Sequence, residues 1–313
     1  MTSANSLDVS LSMERVPCPL CAGWDHRFER RVRGFELVRC RRCRLTFVNP
    51  QPTDEAIAAG YDGQGELGRL IGGRPDKVTF YETWFSQQDR RRWRRTLEEM
   101  ARLSGGGRLL EYGCGPALVG QVAAKSGWQV EAIDIGSWIR ELQPRRSFPL
   151  RVGTLREQAW PAGHFDAVYA QDVLEHLRRP CDELTELARI LRPGGVLYVH
   201  VPNYASLTIR LGVSRFAYNE PPGHLNYFTP ATLIALLHRC GLACVRVGSD
   251  HLEYQDLWRR GTFDYASFEH SIAAHGRQEG GRWWSLARGL VNIPVNVLRC
   301  GTYLWAYALR RPS

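Results

Sequence analysis

The chain has 313 residues, of which 44% are hydrophobic and 23% charged, and a formal net charge of +9. This composition is typical of an ordinary globular protein that is long enough for a full α/β core and a small accessory unit. No run of eighteen uninterrupted apolar residues occurs, so we expect no membrane span. The polar N-terminal segment does not have the basic and apolar regions of a signal peptide, which predicts a cytoplasmic protein.

The positive charge comes almost entirely from arginine, because Lys77 and Lys125 are the only lysines. Arginine is spread over most of the chain rather than concentrated in one segment. We therefore interpret the charge as a solvated basic surface, and nucleic acid is not the expected partner.

Four cysteines near the N-terminus have the spacing of two zinc knuckles. Two residues separate Cys18 from Cys21, and two separate Cys40 from Cys43. Thiolates two residues apart in a tight turn can bind one ion, and four of them complete a closed tetrahedral site. The pattern predicts a zinc ribbon over residues 14–50 whose metal is structural, and reduced thiols without metal are the alternative. His26 is a poor competitor as a ligand because four thiolates already suffice.

The segment 51–103 is predicted to be a helical linker and lid. Thr53 can cap a helix, and Glu55 lies in its first turn. A second helical pattern runs over 78–103.

Predicted strands and helices alternate in the next part of the chain. Helices are predicted over 117–125, 138–142, 181–191 and 230–239, and strands over 108–112, 129–133, 150–152, 165–170, 196–201 and 242–247. Such alternation predicts a parallel sheet with right-handed crossovers. The remainder, 251–313, is predicted to contain helical segments and a final strand over 302–309 that returns to the sheet.

A glycine-rich turn follows the first of these strands. Glu111 ends the apolar strand, and Gly113 and Gly115 follow at alternating positions. Backbone without side chains lets a ligand approach closely, and the carboxylate favours a cationic ligand such as S-adenosylmethionine over a dinucleotide. Asp134, at the end of the second strand, can accept hydrogen bonds from both hydroxyls of a ribose.

Two further motifs lie downstream of this turn: Glu175-His176-Leu177 after the fourth strand, and residues 191–195, which read Leu-Arg-Pro-Gly-Gly. Together with the glycine turn, they resemble the class I S-adenosylmethionine-dependent methyltransferases over residues 104–250. With the cysteine quartet and its exit at 47–52, the chain resembles a bacterial group that has an N-terminal zinc ribbon and acts in polysaccharide and natural-product pathways. The resemblance implies a doubly wound, mostly parallel seven-stranded Rossmann-like sheet.

The resemblance also implies the residues that contact S-adenosylmethionine. They follow the strand ends and are Glu111, Gly113, Cys114, Gly115, Asp134, Ile135, Thr154, Leu155, Gln171 and Asp172. Among these, Asp134 would hold the ribose and Ile135 would pack on the adenine.

Two histidines are candidates for the base that removes a proton from the acceptor. His224 lies in the expected substrate loop, 203–230, and His176 lies in the Glu-His-Leu motif. A base is required only if the nucleophile starts protonated, because alignment supplies much of the catalysis of methyl transfer. Either histidine could instead brace the loop or the following helix. Candidate substrate contacts are Tyr81, Tyr218 and Tyr227.

The leading functional hypothesis is methylation of oxygen or carbon on a small molecule, such as a sugar, a nucleotide-linked compound or a natural-product intermediate. One alternative is an RNA methyltransferase that uses the ribbon and the arginines within 27–44 and 90–95 to bind phosphates. Another is a non-catalytic scaffold of a biosynthetic complex. The apolar run at 290–298 is interpreted as a helix over the substrate pocket or a homodimer contact.

Overall fold

The computed structural model describes residues 12–63, 67–68, 87–211, 221–250, 295 and 297–311. Tyr81 and Tyr218 lie outside these described residues, as do the helical segments predicted within 251–294. The helix predicted from residue 78 is described from residue 87 onward.

The N-terminal part of the chain forms short antiparallel strands around the cysteines. The strands are β1 (Met13–Glu14), β2 (His26–Val32), β3 (Phe35–Cys40), β4 (Thr46–Val48) and β5 (Gln51–Pro52). β2, β3 and β4 are neighbours in one sheet, and β1 pairs with β5. Helix α1 (Asp54–Tyr61) follows, and the Thr53 hydroxyl caps it by accepting a hydrogen bond from the Ala56 amide.

The centre of the molecule is a seven-stranded sheet. Its strands are β6 (Arg108–Tyr112), β7 (Gln129–Asp134), β8 (Leu150–Val152), β9 (Phe165–Gln171), β10 (Leu191–Pro202), β12 (Leu242–Ser249) and β13 (Tyr303–Arg310). Their order across the sheet is β12-β13-β10-β9-β6-β7-β8. β13 runs antiparallel to both of its neighbours, and the other paired strands are parallel. The predicted seven-stranded, mostly parallel fold and the returning final strand are confirmed.

Helices cover both faces of this sheet. They are α2 (Gln87–Ser104), α3 (Leu118–Lys125), α4 (Pro180–Ile190), the short α5 (Leu207–Arg210) and α6 (Pro230–Arg239). One core cluster contains α2 and α3 residues with Leu109, and the other contains α4 and α6 residues with Leu110. Adjacent strand residues therefore point to opposite faces, as in a doubly wound sheet. No helix in the described ranges has the length and apolar character needed to cross a membrane.

The ribbon is joined to the sheet domain by a strand from the segment 203–230. β11 (Asn226–Tyr227) pairs antiparallel with β4, so that Asn226 faces Phe47. Phe47 is fully buried and belongs to the same hydrophobic cluster as Phe228. The sequence places the ribbon and residues 203–230 in separate units, whereas in the structure they share one sheet and one core.

Phe47 supplies a test of this shared core. Phe47→Ala is expected to lower the free energy of unfolding by about 3–5 kcal/mol, because it opens a cavity in a continuous core. Phe28 is the matched control, since it lies on β2 and is 60% exposed. Phe28→Ala should change stability by less than about 0.5 kcal/mol. Guanidinium denaturation measures both variants, and equal effects would contradict a shared core.

Candidate active site

The turn between β6 and α3 leaves open space at the carboxyl edge of the sheet. Gly113 and Gly115 have positive φ values of 67° and 47°, which glycine adopts without strain. A Cβ at Gly113 would collide with the Val173 side chain, whereas a Cβ at Gly115 would meet nothing within 4 Å. Gly113 is therefore needed for packing, and Gly115 is where a ligand can approach the backbone.

The Glu111 carboxylate lies under this turn and is buried. Its Oε2 accepts a hydrogen bond from the Gly120 amide at 2.7 Å, at the N-terminal part of α3. Burial raises the pKa of Glu111 to about 8, although the Gly120 amide opposes this shift. This hydrogen bond holds the end of β6 against α3, and the contact of Glu111 with the methionine moiety stays a prediction. The Cys114 side chain is also buried.

Asp134 joins the glycine turn to the next strand. Its Oδ2 accepts a hydrogen bond from the Gly115 amide at 2.8 Å, and its Oδ1 accepts one from the Gly136 amide at 2.9 Å. Ile135 follows with 37% of its surface exposed. Two further residues are expected to contact the cofactor near this strand end. Thr154 is exposed, whereas Leu155 is buried in the core.

Gln171 and Asp172 lie at the end of β9. Gln171 accepts a hydrogen bond from the Tyr169 hydroxyl at 2.7 Å and donates one to Asp172 at 3.1 Å. The Asp172 side chain is 43% exposed, and its backbone has a φ of +54°. The Asp172 carboxylate therefore lies at this edge of the sheet, and its residue has a backbone conformation that is unusual outside glycine.

His200 holds Asp172 from the neighbouring strand. The buried imidazole places Nδ1 3.2 Å from the Asp172 Oδ1 and Nε2 3.1 Å from the Asp250 Oδ2. Arg92 donates to the same Asp250 oxygen at 3.0 Å, and the imidazole stacks on Tyr303. Burial alone would lower the pKa of His200, but the two carboxylates outweigh it and raise the pKa to about 9.

Sequence reasoning missed this network. A single histidine in an apolar strand has no spacing signal, and its partners come from β9, α2 and the end of β12. The only available signal is an ionisable residue in a strand that is otherwise apolar.

The two candidate bases lie in contact with each other. The rings of His176 and His224 meet edge to face, with centroids 4.7 Å apart. The Nδ1 of His176 lies 2.6 Å from the Gly223 carbonyl oxygen, and the Leu225 amide donates to the Glu175 carbonyl at 2.7 Å. Burial lowers the pKa of both imidazoles, which favours their neutral forms. The structure thus brings together the two histidines that the sequence left as alternatives.

Tyr227 lies behind this pair rather than in open space. It is buried, and its hydroxyl donates to the His224 carbonyl oxygen at 3.3 Å. Its aromatic ring packs against Tyr204. Tyr227 therefore supports the loop that carries His224.

The four ribbon thiols converge on one point. Cys18 and Cys43 have their Sγ atoms 3.3 Å apart, those of Cys21 and Cys40 are 3.5 Å apart, and all four lie within 4.8 Å of one another. Thiolates around one tetrahedral zinc are about 3.8 Å apart, so the donor set fits the ion.

The two knuckles also repeat the same backbone. The Ala22 amide donates to the Cys18 carbonyl, and the Arg44 amide donates to the Cys40 carbonyl. Ala22 and Arg44 both have positive φ. His26 is directed elsewhere, because its Nε2 lies 3.0 Å from the Gly23 carbonyl.

The sheet order and the glycine turn, with an acidic residue on each of the two adjacent strands, define the class I methyltransferase fold. A sequence model described as "Methyltransferase domain" matches residues 85–247, which is just over half of the chain. The chain belongs to this family.

Relatives with assigned roles match part of the chain. A ubiquinone biosynthesis O-methyltransferase of Xanthomonas axonopodis pv. citri (strain 306) is 32% identical over 150 residues, which cover 44% of this chain and 63% of the relative. The corresponding protein of Xanthomonas oryzae pv. oryzae (strain PXO99A) is 31% identical with the same coverage. The chain thus spans less than two thirds of the length of these relatives.

A solved structure from Galdieria sulphuraria, named for sarcosine dimethylglycine methyltransferase activity, has a TM-score of 0.50 and 14% identity. The match covers 75% of this chain and 98% of that one. At this identity, the likeness concerns the fold alone.

The His200 network predicts a pH-dependent contribution to stability. Because the folded-state pKa of about 9 exceeds the ordinary value of 6.5, the stabilisation is complete below pH 6.5 and is lost as pH rises through 9. The stability gap between wild type and His200→Gln should therefore shrink by about 2–3 kcal/mol between these two pH values.

Urea denaturation at several pH values measures this gap. The control is His238→Gln on the exposed side of α6, which should show no such trend. A gap for His200→Gln that stays constant with pH would contradict a charged imidazole between the two aspartates.

Proposed function

We propose that the protein transfers a methyl group from S-adenosylmethionine to a small-molecule acceptor at the carboxyl edge of the central sheet. The observation that carries this proposal is the open space at Gly115 beside the Asp134 carboxylate. Ligands of doubly wound sheets bind at this edge. Carboxylates at the rim favour a cofactor that carries ammonium and sulfonium charges.

The residues present fit this cofactor. Backbone amides hold the Asp134 carboxylate at the end of β7, and a carboxylate in this place can accept hydrogen bonds from ribose hydroxyls. The exposed Ile135 offers an apolar surface to the adenine, and the Gly115 backbone admits the methionine moiety. Asp172 and Gln171 stand at the methionine end.

The chemistry requires orientation and, for a protonated nucleophile, removal of one proton. S-adenosylmethionine supplies an electrophilic methyl group when bound. The protein's part is to align the acceptor with that group, which accounts for much of the rate. We propose that the acceptor loses its proton at the His176 and His224 pair, because the two imidazoles lie in contact where the loop that carries His224 meets the segment that follows β9.

The acceptor is proposed to be a sugar, nucleotide-linked or natural-product intermediate methylated on oxygen or carbon. The similarity to relatives named as ubiquinone biosynthesis O-methyltransferases favours a small molecule and an oxygen nucleophile. The segment at 171–176 reads Gln-Asp-Val-Leu-Glu-His. It differs from the Asn/Asp-Pro-Pro-aromatic motif of enzymes that methylate the amino groups of nucleic-acid bases. No observation in the described residues favours RNA or a scaffold role over this reading.

Asp134→Ala tests the cofactor site. It should weaken S-adenosylmethionine binding at least about 100-fold, because two charge-assisted hydrogen bonds are lost. His224→Ala should leave that binding unchanged while slowing methyl transfer. Isothermal titration measures the first effect, and product formation with a panel of hydroxylated acceptors measures the second.

The matched control for the cofactor site is Asp182→Ala, which removes an exposed carboxylate of α4. It should bind the cofactor like the wild type. Cofactor binding by Asp134→Ala at wild-type affinity would overturn the assignment of this site. Full turnover by His224→Ala would remove His224 from the chemistry.

We also propose that the ribbon binds one structural zinc ion. The converging thiols and the repeated knuckle backbone support this proposal, and a closed four-thiolate site has no position for a substrate. None of the nine cysteines is in a disulfide bond, and a reducing cytoplasm is the proposed location.

Zinc content tests the ribbon. The wild type should contain one zinc per chain in this site, and Cys43→Ser should lose it and unfold at a lower temperature. Cys244→Ser is the control, because Cys244 is a partly exposed thiol outside the quartet. Elemental analysis and thermal melts would contradict the proposal if both variants retained the wild-type zinc and stability.

A further inference from the structure

We infer that Glu175, His176 and His224 form a binding site for one divalent transition-metal ion, distinct from the ribbon. Their ligand atoms all lie within 4.8 Å of one another. Two imidazoles and one carboxylate are a ligand set that such ions prefer and that leaves coordination positions open. The use of this ion in catalysis rests on the proposed function, but its binding does not.

The Glu175 carboxylate is the first observation that calls for a ligand. Glu175 is only 1% exposed, and neither of its side-chain oxygens has a hydrogen-bond partner. A buried carboxylate without a donor or a cation is costly to the fold. A divalent ion bound to these oxygens would satisfy them.

His176 is oriented as a metal ligand. Its Nδ1 lies 2.6 Å from the Gly223 carbonyl oxygen, which can only accept, so the proton resides on Nδ1. The lone pair of Nε2 is then free, and Nε2 lies 3.9 Å from the Glu175 Oε1. A ligating histidine commonly donates its other N–H to a backbone carbonyl, which fixes the tautomer and the ring.

His224 completes the set from a loop that is fixed on both sides. Gly223 contacts His176, and the Leu225 amide donates to the Glu175 carbonyl. The site also remains accessible, because the His176 side chain is 25% exposed. The site is therefore in contact with solvent, from which a small acceptor can reach it.

The position of the site suggests the class of acceptor. It lies three residues beyond Asp172, at the cofactor edge of the sheet. With an ion bound there, the two imidazoles would act as its ligands and no longer as the base. The ion would bind an acceptor hydroxyl and lower its pKa, so that the proton leaves to solvent water. The resulting oxygen anion forms the new C–O bond as the C–S bond of the sulfonium breaks. Hydroxylated small molecules that can coordinate a divalent ion are therefore the favoured acceptors.

Cobalt(II) titration of the full-length, zinc-loaded protein tests the site. We expect one additional equivalent of Co²⁺ with the weak visible bands of nitrogen and oxygen ligands, and the zinc content should stay unchanged. Glu175→Gln and His224→Asn should each weaken this binding at least about 10–100-fold, because each removes a ligand. Glu55→Gln and His238→Asn are exposed matched controls and should bind like the wild type.

S-adenosylmethionine binding is measured on the same samples by isothermal titration. If the wild type binds S-adenosylmethionine but no additional Co²⁺, the metal site is overturned and the histidines remain candidate bases. Equal Co²⁺ affinity in the wild type and in all variants would overturn it as well. Co²⁺ binding without cofactor binding would instead overturn the proposed function and leave the metal site standing. If Glu175→Gln fails to fold, His224→Asn decides the question alone.

Discussion

The pairing of Asn226 and Tyr227 with β4 is the interaction on which the proposed acceptor side of the site depends. It fixes the loop that carries His224 between the ribbon and the Glu-His-Leu segment. The Asn226 amide also donates to the carbonyls of Leu174 and Leu177, at 3.4 and 2.6 Å. Because the same loop is bound on two sides, the ribbon is structurally part of the proposed acceptor site rather than a separate module.

The cofactor side depends on a different constraint, which is the cost of placing carboxylates at strand ends. Each acidic group there is offset by a donor nearby. The Gly120 amide binds Glu111, and the Gly115 and Gly136 amides bind Asp134. These donors are backbone groups of the turns themselves, so the acidic edge is formed locally. A positively charged ligand would complete the compensation without any long-range rearrangement.

The sequence predicted the local features well for this reason. The glycine turn, the helix capped by Thr53 and the cysteine knuckles are each encoded within a few residues, and their bounds agree with the structure to within a few positions. Strand β10 is an exception, because it begins at Leu191 and includes an irregular register before Val196. The β4–β11 pair, the His200 network and the burial of Tyr227 had no such signal. They join segments far apart in the chain, and contacts of that kind leave no periodicity to find.

Asp172 is where the two sides of the site meet. The Asp172 amide donates to the His200 carbonyl, and the Asp172 carboxylate lies against the His200 ring. These two contacts with the sheet hold Asp172 in a backbone conformation with a φ of +54°. A left-handed conformation outside glycine costs on the order of 1 kcal/mol and persists only where its surroundings determine it. Here two hydrogen-bonding groups of one buried histidine determine it. The chain then continues into Glu175 and His176. The same histidine that holds the Asp172 carboxylate on the proposed cofactor side therefore also sets where the proposed acceptor side begins.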